Sequence, residues 1–174
     1  MKATLNQEVK MWKVSVADKP LDLVTFGLTQ SDIDLISVNP ASVKNLVLST
    51  ADGKIAFTQA VDLSNIANLA DVVKIGKQFV AVDGVKAAGL NKAATITMKN
   101  VGTGQATLYK YDGFADASIV DKAQLCASET CTLIGYANGE YTMSVVGFST
   151  YIVVVQKEAD LSLPTEIVLE DGKT

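Results

Sequence analysis

A chain of 174 residues suits one all-β domain or two small ones, and it can bury roughly 70% of its unfolded surface, so it needs neither metal nor disulfide to fold. Hydrophobic residues are 48% and charged residues 20%, a globular composition that argues against intrinsic disorder. The net charge of −4, with fifteen scattered lysines, argues against nucleic acid or an anionic membrane as partner, and the absence of histidine removes every His-based triad and His metal site.

The first residues, "MKATLNQEVKMW", lack the apolar core of a signal peptide, and no run approaches the length of a membrane span. That leaves a cytosolic protein or a segment without its export signal. "EVKMWKVSV" (8–16) alternates Trp12, Val14 and Val16 with Lys13 and Ser15, the period of a half-buried strand that also holds Val9 and Met11. In "SDIDL", Asp32 and Asp34 read as the wet side of another strand. Residues 43–61 read as a hairpin, with Leu46 and Leu48 before an Asp52-Gly53 turn and Ile55 and Phe57 after it. "LSNIANLADVV" (63–73) carries the main helical signal, one or two turns with Ser64 as cap and Ile66, Leu69 and Val73 at helical spacing.

A second hairpin is expected over 71–83 around Gly76, and an alternating strand over 92–101. "VGTGQAT" holds Gly102 and Gly104, but the third glycine of a dinucleotide fingerprint is replaced by Thr107 and no long helix follows, so it reads as a turn. "ATLYKYDG", with a turn at Asp112-Gly113, and "CTLIGY" are further strands. Asn138-Gly139 is a two-residue hairpin signal, after which Tyr141, Met143 and Val145 point to a core while Thr142 and Ser144 point out. The next run, "YIVVVQ", is apolar on both faces, which predicts a strand covered on both sides. Ten or so short strands between turns predict an antiparallel β-sandwich, immunoglobulin-like or jelly-roll-like, with at most one short helix. The expected division is a sandwich over 1–156, with 1–17 as its amino-terminal strand, and a connector or exchanged strand over 157–174.

The series "GKIAF…VDLS…VVKIG…FVAVDG…LNKAATITMKNV…LYKYDG…C…C…GEYTMSVVGFSTY" resembles an immunoglobulin-like β-sandwich module of archaeal and bacterial secreted cell-surface proteins, over about Gly53 to Tyr151. The resemblance implies a building piece of surface layers, adhesins or filaments, and it carries over no catalytic residue. It also implies a disulfide between Cys126 and Cys131, since both lie where the module places its pair; spacing alone leaves two reduced thiols as the alternative. No Asn begins Asn-x-Ser/Thr, so N-glycosylation has no acceptor.

Other candidates each have a plainer reading. Asp112, Asp116 and Asp121 offer hard oxygen ligands for Ca²⁺, but without EF-hand spacing they read as solvated loop carboxylates. Trp12, Tyr109, Tyr111, Tyr136 and Tyr141 offer a sugar-stacking surface, but aromatics at sandwich edges are more often core lids and cross-strand partners, with Tyr136 and Tyr141 facing each other or diagonal. The serine of "GFSTY", Ser149, has no histidine base and no nucleophile elbow, which argues against nucleophilic catalysis. The expectation is therefore a non-catalytic extracellular structural module without cofactor. It would assemble with itself or with neighbouring domains by strand exchange through Val9, Met11, Trp12, Val14 and Val16. The alternative is an adhesin-type module for a carbohydrate or host surface.

Overall fold

A computed structural model describes residues 23–156 of the chain. The segments expected to donate strands, with Val9, Met11, Trp12, Val14 and Val16 in one and 157–174 as the other, lie outside the described residues. Within them the chain forms α1 (Gln30–Val38) and ten strands. These are β1 (Val47–Thr50), β2 (Gly53–Phe57), β3 (Val73–Gly76), β4 (Phe79–Val82), β5 (Ala94–Met98), β6 (Gln105–Tyr111), β7 (Gln124–Leu125), β8 (Cys131–Ala137), β9 (Glu140–Val145) and β10 (Thr150–Gln156). They pair into two antiparallel five-stranded sheets, β1-β2-β5-β9-β8 and β3-β4-β10-β6-β7. The fold is an antiparallel β-sandwich.

Alternation along the strands builds the shared interior. Leu48, Ile55, Ile96, Met98 and Met143 from the first sheet and Val80 and Tyr151 from the second are fully buried in one cluster. Tyr141 and Val145 join Met143 on the dry side of β9, while Thr142 and Ser144 alternate outward. Asn138 and Gly139 both take positive φ, 55° and 76°, the backbone that matches a tight turn to the twist of its strands. At the first hairpin the turn residues are Ala51 and Asp52, and Gly53 already pairs with Thr50. A side chain at Gly53 would sit 2.4 Å from the Thr97 carbonyl, so close approach requires glycine there.

Two local readings are corrected. Asp32 and Asp34 lie on α1, not on a strand, because a reciprocal cap starts a helix: the Asp32 N–H donates to Thr29 Oγ1 (3.2 Å) and the Thr29 N–H donates to Asp32 Oδ2 (2.9 Å). The helix expected over 63–73 shrinks to one 3-10 turn, Leu69–Asp71, capped by Asn68. There Ser64 bonds back to Asp62 (N to Oδ1, 2.8 Å), and Val73 begins β3. Ile66, Leu69 and Val73 are buried nonetheless.

Strand β10 lies at the centre of the second sheet. It pairs with β4 through Thr150–Ile152 and with β6 over its whole length. Its first four residues are buried on both faces. Tyr151 and Val153 enter the common core, and on the other face Thr150 Oγ1 donates to the Gly113 carbonyl (2.8 Å) and accepts from the Ala115 N–H (3.0 Å). The segment after β6 thus covers the start of β10.

Candidate functional site

The chain between β9 and β10, Val146–Ser149, is held from several sides. The Phe148 N–H donates to Asn91 Oδ1 at 2.7 Å, and the Phe148 ring packs in the core against Phe57 and Tyr151. The buried Tyr151 hydroxyl donates to the Gly147 carbonyl at 2.6 Å, and the Ser149 carbonyl accepts from the Val82 N–H at 3.2 Å. Every group holding this short loop comes from a different element. The Phe148–Ser149 peptide bond is therefore positioned by the whole sandwich.

One ionised group stands beside it. Asp112, just past the end of β6, forms an ion pair with Lys110. The hydrogen bond and charge of Lys110 hold its carboxyl below the ordinary 3.8, slight burial opposes them, and the Ser149 hydroxyl adds a smaller hydrogen-bonding contribution downward. Other carboxylate–hydroxyl pairs are local: Asp62 with Ser64 and Asp116 with Ser118 shape turns, and Asp32 with Thr29 caps α1. Asp112 and Ser149 instead lie just beyond Tyr111 and just before Thr150, which pair directly across β6 and β10. Burial raises the Tyr151 pKa strongly and the nearby Asp112 charge adds to this, so the phenol stays protonated and keeps donating to Gly147.

The other sequence candidates are placed as follows. Cys126 and Cys131 are disulfide-bonded with Cα atoms 6.0 Å apart, and they link the end of β7 to the start of β8, one sheet to the other. Asp112, Asp116 and Asp121 do not converge: no group of three metal-ligating side chains occurs among the described residues, and Asp112 and Asp116 face Lys110 and Ser118. Gly113 follows Asp112 at φ 155° and accepts from Thr150 through its carbonyl. Tyr136 lies directly opposite Tyr141 with rings 5.7 Å apart, and its hydroxyl donates to the Gly102 carbonyl. Tyr141 is buried and the pair forms a cross-strand contact rather than an open platform. Asn91, Lys110 and Tyr151 were not singled out from sequence. Their partners are 57, 2 and 4 residues away, and only the two local ones leave any trace in the order of residues.

Residues 31–153, well over half the chain, match the family described as Nucleoporin2, Nup98-96 autopeptidase S59. The chain belongs to that family. No curated protein and no solved structure matches it. The family match overturns the resemblance to archaeal and bacterial surface modules, and with it the extracellular location, the structural or adhesin role, and the self-assembly or carbohydrate partners expected from it. It also overturns the exclusion of enzymatic activity. That exclusion rested on the missing histidine base, the missing nucleophile elbow and a resemblance that carried no catalytic residue; a base matters most for an enzyme that must turn over. A hydroxyl held next to the bond it attacks gains from proximity, and a single event per chain tolerates a slow step.

Proposed function

We propose that this domain breaks its own Phe148–Ser149 bond and serves as a self-processing piece of a nuclear-pore protein. The observation that carries the reading is a family of autopeptidases whose match here includes Ser149, with Asp112 next to it where β6 and β10 pair. Ser149 Oγ attacks the Phe148 carbonyl carbon and its proton passes to the Asp112 carboxylate. The amide nitrogen of Ser149 leaves with a proton, giving an ester through Oγ and a free α-amine. Water then splits the ester into a Phe148 carboxylate and the Ser149 hydroxyl.

Lys110 orients Asp112, and Asn91 and Tyr151 hold the backbone on either side of Phe148. Asp112 is a weak base, so the reaction is slow. A rate on the order of 10⁻⁴ s⁻¹ corresponds to a barrier of about 23 kcal/mol and still completes within a day.

Denaturing electrophoresis and mass measurement of the full chain test this. Wild type divides into 1–148 and 149–174, and Ser149→Ala stays whole. Division of the Ser149→Ala chain at the same bond, or a wild-type chain that never divides, removes the reading.

A further inference from the structure

We propose that residues 8–16 of this same chain lie along the open edge of β1, with the Trp12 indole seated in the groove between α1 and β1. The groove has a volume of about 220 Å³, room for one large side chain, and its apolar lining includes Leu28, Leu35, Ile36 and Val47. Leu35 and Val47 are 71% and 42% exposed, so the described residues leave this apolar surface open.

β1 ends its sheet and pairs only with β2. The Phe57 N–H donates to the Leu46 carbonyl at 2.9 Å, and with Val47 opposite Ala56 this turns the N–H and C=O of Val47 and Ser49 away from β2. The other three sheet edges each carry a feature that discourages further pairing. β3 carries Lys74, β7 has only two residues, and β8 bulges between Leu133 and Gly135. β1 has none of these.

The occupant follows from where the chain enters. The described residues begin at Leu23, and Gly27 lies so close to Ser49 that a methyl there would collide with it. The incoming chain thus runs beside one end of β1 and leaves the Val47 end open. Residues 17–22 span up to about 20 Å, which lets 8–16 turn back along that edge. That stretch alternates, with Trp12, Val14 and Val16 on one face and Lys13 and Ser15 on the other, the pattern of a strand with one dry face. A strand added here bonds the outward groups of Val47, and its apolar face covers Leu35 and Ile36.

Trp12 is the only tryptophan, so its fluorescence in the full chain reports on the groove directly. Its emission is expected to lie to the blue of the denatured chain, with acrylamide quenching several-fold weaker. Leu35→Glu, at an exposed position, and Val14→Pro, which removes a strand N–H outside the sandwich, should each bring quenching close to the denatured level while circular dichroism stays β-rich. Should Leu35→Glu lose its β-signal, Val14→Pro decides. Leu133→Glu, on the opposite edge of the sheet, should leave Trp12 protected. Quenching of folded wild type equal to that in denaturant overturns the proposal, as does protection that survives Val14→Pro or is lost equally in Leu133→Glu. Protection that fades on dilution, with a dimer mass at high concentration, assigns the edge to a second copy and overturns it as well.

Discussion

At the scale of single residues, Asp112 and Tyr151 have separable duties. Asp112→Asn keeps the shape but removes the base, and self-cleavage is expected to slow by roughly 10²–10⁴-fold, the usual worth of a positioned base, measured as fragment yield over time. In the proposed reaction the ionised form acts as base and its pKa is held below 3.8, so the rate is expected to be flat near neutrality and to fall only when pH drops beneath that value. A rate that instead declines between pH 7 and 5 would assign the base elsewhere. Tyr151→Phe leaves the Gly147 carbonyl without its donor in a buried setting. It should cost about 1–3 kcal/mol of stability in urea unfolding, with the phenol's high pKa making the wild-type bond insensitive to neutral pH.

At the scale of elements, the β9–β10 connection and β10 itself decide what cleavage would leave behind. Gly147→Ala places a methyl 2.9 Å from Asn91 Oδ1, the atom that holds the Phe148 N–H. Fragment yield should drop while circular dichroism stays β-rich; an unchanged yield would mean that Asn91 does not position the bond. Once Phe148–Ser149 is broken, β10 begins the carboxy-terminal piece and remains bonded to β4 and β6. The two pieces should therefore elute as one particle in native size exclusion and separate only in denaturant.

Much of this layer was legible in order and spacing. Tyr141, Met143 and Val145 alternate on β9, Asn138-Gly139 forms its turn, and the unbroken apolar start of β10 is covered on both faces. What escaped was a competition between local hydrogen bonds. Thr29 and Asp32 cap each other three residues apart, and that pair outweighs the alternation that made "SDIDL" look like a strand. The site was less legible still, because Asn91 meets Phe148 across 57 residues and Ser149 meets Asp112 only once β6 and β10 are paired.

For the whole molecule, the common interior carries the stability and four capping and turn carboxylates carry its acid limit. Met143→Ala removes a fully buried side chain between the sheets and should cost about 2–5 kcal/mol in chemical denaturation. Asp32, Asp62, Asp112 and Asp116 all have folded pKa values below 3.8, so each favours the folded state above that pH. Their contribution is lost as pH falls through the lowered folded values, and unfolding in mild acid near pH 5 would have to come from other groups.

A folded sandwich is what brings Asp112, Asn91 and Tyr151 to one bond, so self-cleavage should begin only when the fold forms. The most direct measurement takes full-length chain kept unfolded in denaturant from the moment of isolation, dilutes it to refold, and follows intact mass after quenching. The account predicts an undivided chain at the start and, as β-structure appears, growing masses for 1–148 and 149–174. A chain that regains its β-structure and stays undivided for days contradicts it.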